Sequence, residues 1–458
     1  MANSDNLNKE ERLASLSGAI ESGSLFTLQR MLNALHPAEI AHLLESSPPE
    51  QRKIAWELIK RENEGLVLIE LNDDVRSQLT VEMDTVDLVE ALKDLDADDM
   101  ADFLQGLPDT VIEETLAGMS RQERERVELV LGYDEDTAGG MMDTEVVTIR
   151  SDVNVDVVLR YLRMKGELPS HTDHVIVVDS YDKYLGVVSL TQLITHQPDE
   201  AILEIMDSKY LSIPAHLENT DVANLFEDRD LISAPVVSEH GKLIGRITID
   251  DVVDVIREEA EHSIKSMAGL NEEDDLFAPL IPSVKRRAVW LGTNLITAFM
   301  AAAVISQFTD TIESAVALAV LMGIVPSMGG IAGSQTLTMV IRGIALGQIG
   351  KSNTNDLLKK ELLLGAINGV IWAFVVFCIS AIALKDIEIG ILIAVAMMLN
   401  LIAAPLSGVL LPLGLRKLNI DPALAGSVLL TTVTDIVGYA GVLGLASLLL
   451  PYLRSVFS

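Results

Sequence analysis

Beyond Lys285 the chain is a succession of apolar runs long enough to cross a bilayer, at about 288–307, 314–334, 362–384, 388–412 and 424–450. A spanning helix needs roughly 20 apolar residues, because in hydrocarbon every backbone polar group must be bonded within its own segment. The runs therefore predict a five-span α-helical domain over 285–458. The last run holds Asp435, the one acid that falls in mid-span on this reading. A carboxylate at that depth costs about 2.5–3.5 kcal/mol on insertion scales, so it marks an ion or proton path.

Charge divides the chain at the same place. Residues 285–458 carry a net charge of +3 and residues 1–284 one of −36, which implies two different solvents. Acidity of that size favours cations as partners and argues against nucleic acid, with plain solubility as the alternative. No secretory signal opens the chain: MANSDNLNKEERLASL is polar and helical in character, so the amino-terminal part is expected in the cytosol. The single cysteine, Cys378, excludes an internal disulfide and a cysteine-based zinc site.

Basic residues fall at Lys285, Arg286 and Arg287, at Arg342, Lys351, Lys359 and Lys360, and at Arg416 and Lys417. With an odd number of spans this bias predicts the amino terminus inside and the carboxyl terminus outside. The stretch 314–349 contains Pro326, Gly329, Gly330 and Gly333 and reads as a broken or extended helix rather than two spans. Splitting it would put the lysine-rich loop outside.

Two internal repeats organise the soluble part. HPAEIAHLLESSP (His36–Pro48) matches DADDMADFLQGLP (Asp96–Pro108) sixty residues on, with Ala41, Leu44 and Pro48 facing Ala101, Leu104 and Pro108. Residues 1–130 thus read as an all-α, superhelical domain with acidic outer faces. In the second repeat, MDTEVVTI (Met142–Ile149) aligns with MDSKYLSI (Met206–Ile213), and HVIVVDSYDKYLGVVSLTQLI with SAPVVSEHGKLIGRITIDDVV. This pattern, in residues 138–200 and 201–254, resembles a tandem pair of CBS (cystathionine-β-synthase) domains, β-α-β-β-α units that pair into a disc. Such pairs often bind adenine nucleotides such as ATP. A dimerisation disc without nucleotide fits the residues equally, since no glycine-rich phosphate loop stands out.

The copies differ at their ends. Where the first has Thr191 and Gln192, the second has Asp250 and Asp251, followed by Asp254, Glu258, Glu259 and Glu261. On a helix Asp251, Asp254, Glu258 and Glu261 share one face. Such an array repels itself, and a hard cation with oxygen ligands, Mg²⁺ above all, is its natural counter-charge. The ordinary reading is a solvated linker helix.

The whole order of parts resembles the MgtE family of bacterial magnesium channels. The resemblance rests on YDEDTAGGMMDTE (Tyr133–Glu145), RRAVWLGTNLITAF (Arg286–Phe299), PSMGGIAGSQTLTMVIRGIALGQI (Pro326–Ile349) and LLPLGLRKLNIDPALAGSVLLTTVTD (Leu410–Asp435). It implies a multidomain membrane protein: an all-α acidic superhelical N domain (1–130), an α/β tandem CBS pair (138–254), a connecting plug helix and linker (248–284) and a five-span α-helical transmembrane domain (285–458). It further implies a homodimer in the bacterial inner membrane, passive Mg²⁺ influx, and Asp435 facing its twin across the dimer axis. Ser427, Thr431, Thr434, Asp435 and Gly438 form one polar or small stripe that could be a helix contact made of small residues and hydroxyls, but the aspartate favours a pore lining.

One departure matters. Family members commonly carry asparagine after the paired glycines, where this chain has Ile331, so backbone carbonyls exposed near Pro326, Gly329 and Gly330 are left to line the ion path. The expected gate is electrostatic. Acids of 90–102, including Asp98, Asp99 and Asp102, would meet those of 250–261, and Mg²⁺ bound between them would close the channel. Oxygen donors alone do not separate Mg²⁺ from Co²⁺, Ni²⁺ or Mn²⁺. An ion-coupled divalent-cation exchanger and a nucleotide-sensing membrane protein are the competing readings. No catalytic constellation is present, so the chain does not read as an enzyme.

Overall fold

The computed structural model describes Gly18 and residues 25–457, apart from 82, 94, 108, 271–275, 351 and 385. The polar opening segment, Pro108 of the first repeat and Lys351 of the basic loop lie outside the described residues. Two compact units divide the chain, one built on the residues up to Ala260 and the other on Glu261–Glu272 and Leu280–Ser458.

The first unit opens with short helices: α1 (Leu25–Leu32), α2 (Pro37–Glu45), α3 (Pro49–Trp56), α4 (Arg61–Ile69), α5 (Asp73–Thr80), α6 (Thr85–Leu92), α7 (Ala97–Gln105), α8 (Asp109–Gly118) and α9 (Arg121–Leu131). Each is too short to stand alone in water, and most are held by an apolar face packed on a helix two places away. The stacking runs α1 on α3, α2 on α4, α4 on α6, α6 on α8 and α7 on α9, as a superhelix requires. The matched pairs of the repeat, Ala41 with Ala101 and Leu44 with Leu104, are all buried. Between α4 and α6 the backbones come so close that a Cβ on Gly65 would lie 2.0 Å from the Ala91 carbonyl oxygen.

Two three-stranded sheets follow: β1 (Thr148–Arg150), β2 (His174–Val178) and β3 (Tyr184–Ser189), then β4 (Ile213–Pro214), β5 (Ser233–Val237) and β6 (Leu243–Thr248). In each the first strand runs parallel to the second and the second antiparallel to the third. Register agrees as well: His174 pairs Ser189 where Ser233 pairs Thr248, and both second strands slip at the same place, Val177/Val178 and Val236/Val237. Helices α10 (Val155–Lys165), α11 (Leu190–Thr195), α12 (Ile202–Ile205) and α13 (Asn219–Arg229) complete a CBS pair. Helix α14 (Ile249–Met267) continues from β6. It is the helical part of the 248–284 connection, and Gly269, at φ 71°, takes a left-handed turn just past its end.

In the second unit come α15 (Leu280–Ser306), α16 (Thr309–Ser314), α17 (Ala317–Leu321), α18 (Ile324–Ala345), α19 (Thr354–Leu384), α20 (Ile387–Lys417) and α21 (Pro422–Phe457). Among the described residues five stretches are long and apolar enough to cross a membrane, the second being α17 and α18 together, Ala317–Ala345. The break falls at Met322 and Gly323, before the proline rather than at it. Pro326 sits in the first turn of α18, where its missing N–H is harmless. From Ile324 to Ala345 the helix is then continuous through Gly329, Gly330 and Gly333. The backbone near Pro326 and Gly329, expected to offer carbonyls to the ion path, is therefore helical. The glycines serve close packing instead. A Cβ on Gly333 would meet Leu430 at 2.8 Å, one on Gly408 the Gly333 carbonyl oxygen at 2.8 Å, and one on Gly438 the ring of Pro326 at 2.7 Å.

Candidate functional site

Two groups of residues stand out, one in each unit. In the membrane helices the polar stripe of α21 divides. Thr434 is 1% exposed, its Oγ1 donates to the Thr431 carbonyl at 3.0 Å, and it faces Gly330 of α18. Gly438 is pressed on Pro326. These two belong to the α18–α21 contact, so the reading of Thr434 as an open pore wall is corrected. Ser427, Thr431 and Asp435, spaced four apart, form a single row that stays partly or fully exposed. The Thr431 hydroxyl is turned onto the Ser427 carbonyl at 2.9 Å, which leaves Asp435 as the charged end of that row.

On α18, Ile331 follows Gly330 and is 55% exposed. On the opposite side of α18 lies Asn400 of α20, fully buried, whose Nδ2 donates to the Val325 carbonyl at 2.7 Å. A Cβ on Gly329 would come within 2.2 Å of that amide nitrogen, so the first of the paired glycines is a packing requirement. Pro326 and Gly329 are both buried, and Gly330 is half-buried.

In the first unit the acids of α7 and of α14 form a basin. Asp98 is 8% exposed and its Oδ1 has no hydrogen-bond partner. Burial, then the charges of Asp251 and Asp99, hold its carboxyl well above the usual range. Burial with Asp96 and Asp102 pushes Asp99 up to about 7. Asp251 is pushed up to about 7 by burial and Asp250, against the hydrogen bonds from the Thr248 N–H and Oγ1 that hold it at the start of α14. Glu258, through burial and then Asp102 and Asp254, also reaches about 7. Asp254 is raised by burial, offset in part by Arg257 3.5 Å away. Thus Asp98, Asp99, Asp102, Asp250, Asp251, Asp254 and Glu258 come together. Glu261, paired with Lys265 at 3.4 Å, belongs to the second unit.

Sequence reasoning missed Asp143, which is also raised by burial even though Arg246 binds it at 3.1 Å. It missed Glu70, whose charge environment includes Asp254. The signal for Asp143 was its place in the MMDTE motif, directly before the first sheet. Among the described residues no three His, Cys, Asp or Glu side chains converge as a ready ligand set. The basin is nevertheless all oxygen, crowded, and provided with one orphaned buried oxygen on Asp98, which is the chemistry a hydrated hard cation fits.

Over 448 residues the chain is 30% identical to the magnesium transporter MgtE of Thermus thermophilus, covering 96% of this chain and 99% of that one. The chain belongs to the MgtE family. The family profiles agree in order: an MgtE intracellular N domain at 35–136, CBS domains at 138–199 and 202–258, and a divalent cation transporter domain at 322–445. A second MgtE, the magnesium transporter of Bacillus subtilis, is 26% identical over 442 residues, 96% of this chain and 98% of its own. Among solved structures, the cytosolic domain of the Mg²⁺ channel MgtE in complex with ATP covers 53% of this chain and 99% of its own at 31% identity, with a TM-score of 0.49. As an MgtE-family protein with five apolar helices of spanning length, the chain is a multi-pass membrane protein.

Proposed function

We propose that the protein is a channel for passive Mg²⁺ influx that closes when cytosolic Mg²⁺ binds its soluble acids. The observation that carries this reading is the basin itself. Carboxylates from two elements far apart in sequence, Asp98 and Asp99 on α7 and Asp251 and Glu258 on α14, are raised by burial and then by neighbouring acids. Two unit charges 4 Å apart repel by about 4 kcal/mol at an effective dielectric near 20, so the compact arrangement needs a counter-charge at neutral pH. Mg²⁺ supplies it, and α14 continues from the basin into the membrane unit. High Mg²⁺ then favours the compact state and starvation loosens it, which is feedback through differential affinity.

In the membrane the Ser427, Thr431 and Asp435 row attracts the ion. A homodimer would set two such rows face to face, with Mg²⁺ held through its water shell. The membrane is a bacterial inner membrane, with the basic ends of the spans and the amino terminus on the cytosolic side. ATP is a secondary input at the CBS pair, where a cavity of about 250 Å³ is lined by Thr148, Arg150, Tyr161 and Asp182. Arg150 there stands 3.8 Å from Asp182, so a phosphate would have to compete for it.

Recording from the purified protein in liposomes, with Mg²⁺ varied on each side, tests the reading. Currents that close only when Mg²⁺ rises on the side of the soluble unit are expected. Saturable counter-transport without channel currents would replace it with an exchanger.

A further inference from the structure

A second acid lies inside the membrane unit, where the sequence placed it just before the third span. Glu361 is two turns into α19 and 6% exposed, and its Oε2 accepts a hydrogen bond from Thr336 Oγ1 of α18 at 2.8 Å. The two side chains line a cavity of about 220 Å³ between α18, α19 and α20, together with Gln335, Asn368 and Lys360. Gln335 and Asn368 are exposed on two spanning helices on either side of the buried carboxylate. An ionisable residue in a span faces the bundle interior or a water-filled cavity, and here Glu361 faces this crevice, whose walls also include Met339, Leu364, Leu401 and Pro405. None of these residues belongs to the Ser427, Thr431 and Asp435 row.

We propose that this crevice is a second station for a hydrated divalent cation, with Glu361 as charged ligand and Thr336, Gln335 and Asn368 as neutral oxygen donors. The proposal rests on the reading of the protein as a Mg²⁺ channel. An all-oxygen donor set suits a hard cation, and Mg²⁺ characteristically takes one or two carboxylates and keeps the rest of its waters. The cavity leaves room for them, since water occupies roughly 30 Å³ per molecule. Lys360 explains how a lone carboxylate is kept when no ion is present. Its Nζ stands 3.9 Å from Glu361 Oε1 while most of its side chain is exposed, so it neutralises the acid from the rim and swings outward when a cation arrives. One carboxylate holds the ion loosely, which fits a station on a path rather than a store.

The test is Mg²⁺ uptake by the full chain in liposomes as a function of Mg²⁺ concentration. Glu361→Gln is expected to raise the half-saturating concentration about tenfold, the size of one charge-assisted contact, with maximal uptake nearly kept. Glu361→Asp should recover part of the shift, and Lys360→Gln should lower the half-saturating concentration by removing the competing ammonium. Loss of maximal uptake at unchanged half-saturation would make Glu361 a packing partner of Thr336 and overturn the station. Should Glu361→Gln not fold, Gln335→Leu with Asn368→Leu leaves the Glu361–Thr336 bond in place and must still raise half-saturation; no change there overturns the proposal equally. Asp435→Asn run alongside separates the two readings. Uptake surviving that change sinks the pore, whereas uptake lost there with Glu361→Gln unshifted sinks the second station alone.

Discussion

Asp435 is the residue on which the ion path depends, because it is the charged end of the only polar row that α21 leaves open among the described residues. Asp435→Asn is expected to abolish Mg²⁺ uptake in a Mg²⁺-auxotrophic strain while the protein still folds, since the amide keeps the volume and loses the charge. Wild-type growth of that strain without added Mg²⁺ would remove Asp435 from the path. Ile331 poses a finer question. Its side chain is 55% exposed and follows Gly330, which faces Thr434 of α21, so Ile331→Asn is expected to change the Mg²⁺/Co²⁺ permeability ratio with little effect on thermal stability. Equal ratios in both proteins would turn that side chain away from the ion. Asp435 stood out in the sequence because an acid in mid-span is costly there. Thr434 was grouped with Asp435, but its one-residue offset turns it about 100° around the helix, toward Gly330, and helical spacing alone does not say which side a neighbour will cover.

At the scale of elements, the membrane helices were legible as apolar runs, but their contacts were not. Proline and paired glycines announced a break in 314–349, yet the chain breaks at Met322 and Gly323 and uses Gly329, Gly333 and Gly438 to bring helices together. The sequence alone lists these glycines without the partners that explain them. Gly438→Leu puts a large side chain where even a Cβ would stand 2.7 Å from Pro326, so α18 and α21 must part. Overpacking of that kind costs about 1–3 kcal/mol, and a clear drop in the melting temperature of the detergent-solubilised protein is expected. An unchanged melting temperature would show that the two helices are not in register as described. In the soluble superhelix the corresponding fixture is Arg52, 1% exposed, which donates to the Leu44 and Ser47 carbonyls and to Gln78 Oε1. Arg52→Met takes the guanidinium from the Ser47 carbonyl and from Gln78, while the Leu44 carbonyl keeps the Ser47 N–H at 3.1 Å, and should cost about 1–3 kcal/mol, read by denaturant unfolding. A loss under about 0.5 kcal/mol, the size of an ordinary surface change, would mean water replaces the guanidinium freely.

At the scale of the whole molecule, the soluble acids should make compaction depend on protons as well as on Mg²⁺. Asp99, Asp251 and Glu258 keep their protons to a pH of about 7 in the compact arrangement, against ordinary values of 3.8 for aspartate and 4.5 for glutamate. For carboxyls raised on compaction, the looser state binds fewer protons across that window. Compaction is therefore least opposed below about pH 4, weakens as pH rises, and meets its full electrostatic penalty above about pH 7. Mg²⁺ takes over from the protons at the high end. Without Mg²⁺, protease protection of the soluble unit is expected to be stronger at about pH 5.5 than at pH 8, and added Mg²⁺ should protect much more at pH 8 than at pH 5.5. Asp99→Asn with Asp251→Asn imitates the protonated pair without the proton. That variant should be protected at pH 8 with no Mg²⁺ present and should gain little when Mg²⁺ is added. Protection that ignores pH in the wild type, or a variant that keeps the full Mg²⁺ response, would place the sensing acids elsewhere and leave this basin a solvated surface.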